Sequence, residues 1–149
     1  MENVEKEMVT EYLNAVYQNI RTAIQSIEDI MPKVKDEELK KELASEEDKY
    51  LILEKECELL AKAEKIDGIK DNTWLEKAKL WGSINMSTMT DKTNRKIAEL
   101  MLMGTFMGVI TCYKDQADHK GNSAEIDEIL EKLKELERNN IEALLPYLV

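Results

Sequence analysis

The sequence predicts an all-α protein, built as a bundle of four helices. Leu, Glu, Lys, Ala, Ile and Met dominate its 149 residues, which include only 2 Pro, 5 Gly and 1 Phe, so residues typical of strands and tight turns are scarce. Apolar residues also recur at steps of three and four along long segments, as they do on one face of an amphipathic helix. A chain of this length is expected to fold as one domain, residues 1–149.

The first two helices are predicted to form an antiparallel hairpin. The first runs from Val4 to Met31 and ends at Pro32, and the second is capped by Asp36 and continues to Gly68. About four residues join them, which forces neighbouring helices to run in opposite directions. Their apolar stripes run through Val9, Leu13, Val16, Ile20, Ala23, Ile27 and Ile30 in the first helix, and through Leu39, Leu43, Tyr50, Leu53, Cys57 and Leu60 in the second.

The third long helix contains LMLMGTFMGVITCY, residues 100–113, in a chain that is 35% charged. We expect Thr90 or Asp91 to cap it. A helix that crosses a bilayer needs about 20 apolar residues, so this shorter run predicts the central packing helix of the core. Gly104 and Gly108 lie one turn apart and are expected to let a neighbouring helix, of this chain or of a second copy, approach the backbone closely.

The fourth helix is predicted to begin after Gly121, which stops the third helix near His119. Asn122 or Ser123 provides its N-cap, and it ends near Pro146. Its buried face runs through Ile126, Ile129, Leu133, Leu136, Asn140 and Leu144.

The connector between the second and third helices predicts how the two hairpins are joined. Thr73 and Glu76 form a capping-box pair that opens a short helix, TWLEKAKLWGSINM, with Trp74 and Trp81 on its sides. A bundle helix of about 28 residues is about 42 Å long, and residues 68–90 are long enough to span that distance. A long crossover between two hairpins is therefore favoured over an up-down-up-down bundle, which needs only a short middle loop.

Four stretches carry a resemblance to a known family: KVKDEELKKEL, SINMSTMTD, IAELMLMGTFMGVI and ERNNIEALLPYL. Through these stretches, which are spread over most of the chain, the sequence resembles the ferritin-like four-helix bundles, and in particular a group of uncharacterised bacterial proteins of that fold. The resemblance implies a long crossover connector that carries a short extra helix. Because the stretches are structural and not catalytic, it implies little about activity.

The sharpest chemical hypothesis is a metal oxidase or metal store that holds iron or manganese. Ferritin-like sites use a Glu from each of two helices and a Glu-x-x-His from each of the other two, and Glu-x-x-His is absent here. The middle of the first helix, between Glu11 and Glu28, carries no acid, and neither does the third helix between Glu99 and Asp115. We therefore predict no stoichiometric Fe, Mn or Zn in the bundle centre. An atypical ligand set would consist of Glu47, Glu54 and Glu137, with Asn19 or Asn140 nearby.

Glu137 lies on or beside the apolar stripe of the fourth helix, four residues after Leu133. It is therefore either a buried polar group or a boundary residue whose head reaches solvent or pairs with Arg138, Tyr50 or Asn19. We favour the boundary position, because burying an unpaired carboxylate is costly.

The other potential metal ligands favour structural roles. His119, at a helix C-terminus, is expected to be exposed and stabilised by the helix dipole. Cys57 and Cys112 lie in apolar contexts and are expected to be free, buried thiols. A set of methionines could bind Cu(I) or line a cavity for a small apolar ligand, but core packing is favoured since no His or Cys stands at matching spacing. This set comprises Met86, Met89, Met101, Met103 and Met107.

Charge and local patterns limit the partners and the reactions. The formal net charge of −10 and the absence of a separate basic cluster exclude nucleic acids and anionic membranes as expected partners. The first residues, MENVEKEMVTEY, alternate charges where a secretory signal needs an apolar run, so we expect a cytoplasmic protein. No phosphate-binding loop or nucleophile set is present, so no catalytic or cofactor-binding residue is assigned.

We therefore predict a non-enzymatic bundle that acts through self-association or by binding an unidentified protein. Trp74, Leu80 and Trp81 on the connector, and a third helix with apolar residues on more than one face, motivate the self-association. A four-helix bundle covers only part of such a helix, so a homodimer or other homo-oligomer is expected, with two-fold symmetry as the commonest solution.

Overall fold

The computed structural model describes residues 2–67, 69 and 90–149, with side chains from Val4 onward. Within these residues all regular secondary structure is helical, which confirms the all-α, four-helix prediction. The connector helix predicted at TWLEKAKLWGSINM lies outside the described residues. The long helices are α1 (Glu2–Ile30), α2 (Glu37–Ala63), α3 (Asn94–His119) and α4 (Ala124–Leu144), and short 3₁₀ segments follow α1 and α4 at Met31–Lys33 and Leu145–Leu148.

The starts of α2 and α4 and the end of α3 lie where the sequence predicted them. Asp36 caps α2 by accepting the backbone N–H of Leu39 at 2.9 Å. Ser123 caps α4 through Ile126 N–H at 3.2 Å. Gly121 follows α3 with a φ of +95°, a backbone conformation that glycine adopts without steric cost.

The start of α3 corrects the prediction that Thr90 or Asp91 caps this helix. The cap is Thr93, whose hydroxyl accepts the N–H of Lys96 at 3.2 Å. Asp91 instead accepts the N–H of Thr93 at 2.9 Å, so it holds the capping residue in place. Thr and Asp are both favoured N-cap residues, so the residue that caps depends on where the chain enters the bundle.

Neighbouring helices run antiparallel. α1 packs against α2 and α3, and α4 packs against the same two helices, so α2 and α3 face each other across one diagonal. For each pair of neighbouring helices, two side-chain contacts at different heights set the direction. They are Arg21–Glu54 and Glu28–Glu47 for α1 and α2, and Tyr12–His119 and Asn19–Cys112 for α1 and α3. They are Tyr50–Glu137 and Glu56–Lys132 for α2 and α4, and Gln116–Lys134 and Cys112–Glu137 for α3 and α4. It follows that α2 and α3 are parallel, and that residues 64–93 join points at opposite ends of the bundle.

One core runs through all four helices. The predicted stripe of α1 is buried apart from Val9 and Ala23, which are half-buried. Tyr12, Tyr17 and Ile24 are buried as well, although the stripe did not include them. Because α1 packs against two helices, its buried face is wider than a single stripe.

α3 is buried on one side only, which confirms the expectation that a four-helix bundle covers only part of this helix. The core-facing residues are Ile97, Ala98, Met101, Leu102, Thr105 and Cys112. Apolar residues on the opposite side remain exposed. The physical reason is that a helix in a four-helix bundle has two close neighbours, which cover only part of its circumference.

Candidate functional site

Buried polar residues meet in the middle of the bundle, and every long helix supplies at least one of them. These residues form the central polar cluster: Asn19 from α1, Tyr50 from α2, Cys112 from α3, and Glu137 and Asn140 from α4. All five are buried, and Glu137 is only 1% exposed. The prediction that Glu137 occupies a boundary position is therefore wrong, although its pairing with Tyr50 is confirmed.

Hydrogen bonds link the cluster across the helices. The Cys112 thiol donates to Glu137 Oε1 at 3.2 Å, and the Tyr50 hydroxyl donates to Glu137 Oε2 at 3.4 Å. Asn140 Nδ2 donates to the Tyr50 hydroxyl at 3.1 Å. Asn19 Nδ2 donates to the Cys112 sulfur at 3.3 Å and to the backbone carbonyl of Gly108 at 3.0 Å. A carboxyl buried with such partners costs far less than an isolated one.

Burial makes this cluster a neutral one. Removal of the Glu137 carboxyl from water raises its pKa from 4.5 to about 8, and the hydrogen bonds from Cys112 and Tyr50 only partly oppose that rise. The Glu137 carboxyl is therefore mostly in its neutral form at neutral pH. Burial, followed by the charge of Glu137, also raises the pKa of Cys112 and of Tyr50, so the thiol is not activated as a nucleophile.

Gly108 makes room for the Glu137 carboxyl. A Cβ atom at Gly108 would come within 2.9 Å of Glu137 Cδ and closer still to Oε2. The expectation of a close approach is thus met by a side chain and not by a helix backbone. Gly104 has no such role, since nothing within 4 Å would meet a Cβ there.

The atypical metal ligands predicted from the sequence do not come together. Glu54 forms an ion pair with Arg21 at 2.6 Å. Glu47 is partly buried beside Glu28, and burial together with that neighbouring carboxylate raises its pKa. In the described part of the chain, no group of three or more His, Cys, Asp or Glu side chains is arranged to hold a metal ion.

His119 and the cysteines have clear positions. The His119 ring stacks on Tyr12 with centroids 5.1 Å apart and is half-buried, so the expectation of an exposed histidine is wrong. Tyr12 donates a hydrogen bond to Asp127 at 2.5 Å, which ties the start of α4 to α1. Cys57 and Cys112 are free and buried, as predicted, and burial raises the pKa of Cys57 to about 12.

Sequence reasoning missed Glu46. It is buried on α2, and its pKa rises from 4.5 to about 10, chiefly through burial and then through its hydrogen bond with Glu42. Its position between Leu43 and Tyr50, three residues after the first and four before the second, placed it on the buried stripe. That spacing was the signal available in the sequence.

A second feature is an exposed apolar face on α3. The outer stripe comprises Met103, Phe106, Met107, Ile110 and Tyr113, each between 47% and 56% exposed. Lys134 of α4 places its ammonium group 4.7 Å from the centre of the Tyr113 ring and so helps to fix that ring. Of the methionines considered above, Met101 is buried, Met103 and Met107 belong to the stripe, and Met86 and Met89 lie outside the described residues.

α3 has the length and the apolar composition of a membrane span. Among the described helices it alone is long and apolar enough to cross a bilayer, and 28% of its apolar stretch is buried inside the bundle. Core helices of soluble proteins share that length and composition.

No protein-family model, no curated protein and no solved structure matches the chain.

Proposed function

We propose that this protein is a non-enzymatic, ferritin-like bundle that acts by associating with itself. The observation that carries the proposal is the outer stripe on α3, where five large apolar side chains are each about half exposed. Contiguous apolar patches on a folded protein commonly mark binding surfaces. The stripe lies on a regular helix anchored in the core, so it is already shaped for a partner before binding.

The ferritin-like arrangement is supported by the direction of the helices. α2 and α3 are parallel across a diagonal, and this requires one long connection between two antiparallel hairpins. Bundles with a single long crossover have that topology. The sequence stretches that resemble ferritin-like proteins point the same way.

We propose a non-enzymatic function because of the chemistry of the central polar cluster. Its one carboxyl is protonated at neutral pH, and its thiol has a raised pKa. A di-iron or di-manganese site needs several ionised carboxylates and histidines at one level. Here α1 supplies the amide of Asn19 and α2 the phenol of Tyr50.

Sedimentation velocity at micromolar protein concentration tests the proposed self-association. We expect a dimer that dissociates on dilution, because an apolar stripe of this size supports association of moderate affinity. A monomer at every concentration up to roughly hundreds of micromolar would contradict the proposal.

The competing metal hypothesis is favoured by one observation, the carboxyl of Glu137 buried at mid-height in the bundle. Anaerobic titration with Fe(II), followed by oxygen, tests it directly. Saturable binding of iron with an oxidation signal that Glu137→Ala or Glu54→Ala abolishes would replace the scaffold proposal with an oxidase or metal store. We expect neither saturable binding nor a change of the melting temperature with chelator.

A further inference from the structure

The outer stripe has an internal symmetry in the sequence. Met103 precedes Phe106 by three residues and Ile110 follows Met107 by three, so the four side chains are arranged evenly about the midpoint between Phe106 and Met107. All lie on one face of α3, since residues at spacings of three, four and seven share a helix face. An antiparallel copy of the same helix would therefore meet a matching row of apolar side chains.

Charged residues continue this symmetry at the ends of the stripe. Glu99 lies seven residues before Phe106 and Lys114 lies seven residues after Met107, each about 11 Å along the axis from the midpoint. Both side chains are exposed, and both lie on the face of the stripe. In an antiparallel pair, Glu99 of one copy comes opposite Lys114 of the other, and two-fold symmetry repeats that contact at the other end.

We propose that the outer stripe is the docking surface for a second copy of this chain, with the two α3 helices antiparallel and the two-fold axis between Phe106 and Met107. This inference rests on the proposed self-association and specifies its surface, orientation and register. Phe106 and Met107 lie at the centre of the interface, Met103 packs on Ile110 of the second copy, and two Glu99–Lys114 ion pairs close its ends.

The charges favour the antiparallel orientation over the parallel one. A parallel pair with the same face would place Glu99 opposite Glu99 and Lys114 opposite Lys114 of the second copy, and like charges in contact disfavour association. The antiparallel pair converts both contacts into attractive ones.

The size of the stripe fits a dimer of moderate affinity. Five half-exposed large side chains present on the order of 500 Å² of apolar surface per copy, within the range of the largest patches on single proteins. A standard interface buries about 800 Å² per partner. Leu100, Gly104 and Ala117, with the stems of Glu99 and Lys114, border the stripe and supply further contact area.

Charge exchange tests the register. Glu99→Lys or Lys114→Glu alone turns two attractive contacts into two repulsive ones, so each is expected to raise the dimer dissociation constant about tenfold. The double variant Glu99→Lys/Lys114→Glu restores the attraction and should return to within about threefold of the wild type. Asp48→Lys and Lys49→Glu, exposed on the diagonal helix α2, make the same changes of net charge away from the interface, so the tenfold rise is expected for each interface variant relative to its charge-matched control.

Single cysteines test the orientation. Met107 lies beside the proposed two-fold axis, so Met107→Cys should form a disulfide-linked dimer under mild oxidation. Ile110→Cys should not, because antiparallel helices separate the two copies of that residue by about 11 Å along the axis, beyond the reach of a disulfide. The wild type, with its buried Cys57 and Cys112, gives the background.

The outcomes separate this inference from the proposed function. A wild-type dimer that ignores both charge exchanges and does not cross-link through Met107→Cys overturns the α3 interface and leaves self-association standing. Cross-linking of Ile110→Cys as strongly as Met107→Cys indicates a parallel pair and also overturns it. A monomeric wild type contradicts both proposals. The occupant of the stripe would then be either the chain's own residues 70–89 or a lipid bilayer, and binding to lipid vesicles distinguishes these two.

Discussion

At the scale of single residues, the Glu137 carboxyl determines how the centre of the bundle responds to pH. Its pKa of about 8 in the folded protein lies above the ordinary value of 4.5. Between these two values the folded protein holds a proton that the unfolded chain has released, so the free energy of unfolding falls as the pH rises through this interval. Above about pH 8 the Glu137 carboxyl is ionised in both the folded and the unfolded state, so its contribution to the free energy of unfolding no longer changes.

Glu137→Gln should remove this pH dependence, because glutamine fills the same space and carries no charge. At pH 5 the variant and the wild type should be similarly stable, and at pH 7 the variant should be more stable by on the order of 3 kcal/mol. Chemical denaturation at several pH values measures the difference. Glu135→Gln, exposed on the same helix, is the control, and an equal gain for both variants would contradict the argument.

The two glycines of α3 should respond to alanine in opposite directions. Gly108→Ala pushes a Cβ into the Glu137 carboxyl and should destabilise the fold by about 1–3 kcal/mol. Gly104→Ala meets open space and should stabilise the helix by about 0.5–1 kcal/mol, since glycine is costly inside helices. Melting temperatures of the two variants at equal concentration give the comparison. A stable Gly108→Ala would mean that the carboxyl is free to move.

At the scale of the helices, α3 differs from its neighbours in how it is held. Its inner side packs in the core and its start is fixed by Thr93, while its outer side carries the exposed stripe. Because only one side of α3 packs in the core, the helix depends on its cap and on these inner contacts for stability. Its outer side remains available for binding.

Thr93→Ala should therefore destabilise the protein by about 1 kcal/mol, because the N–H of Lys96 loses its acceptor. Thr90→Ala, at the position expected from the sequence, should change the stability by less than about 0.5 kcal/mol. Urea unfolding of both variants distinguishes them. A larger loss for Thr90→Ala would place the cap where the sequence suggested.

At the scale of the whole molecule, net charge opposes the proposed dimer. Each copy carries a formal charge of −10, and two such copies repel each other over distances that depend on ionic strength. We expect this repulsion to outweigh the two exposed Glu99–Lys114 pairs, since exposed ion pairs are each worth only about 0.2–1 kcal/mol.

Salt should therefore strengthen the association. Between about 10 mM and 150 mM NaCl the screening length falls from about 30 Å to about 8 Å, and we expect the dimer dissociation constant to fall severalfold. Sedimentation equilibrium across that range measures it. A constant that rises with salt would mean that attractive charge contacts dominate the interface.

The local features of this protein follow from the sequence by itself. The amphipathic period placed α1, α2 and α4, the uncharged run of residues 100–113 placed α3, and Asp36, Ser123 and Gly121 marked boundaries that the structure confirms. The sequence determined these because helix period, capping and turn conformation depend on residues within a few positions of one another.

The centre of the bundle was decided only by the tertiary structure. Whether Glu137 is buried depends on Tyr50 and Cys112, which lie 87 and 25 residues away along the chain, and on the space left by Gly108. Which side of α3 is buried likewise depends on the two helices that flank it. No local pattern encodes such contacts, because the cost of burying a polar group is fixed by partners that only the packing of the four helices brings together.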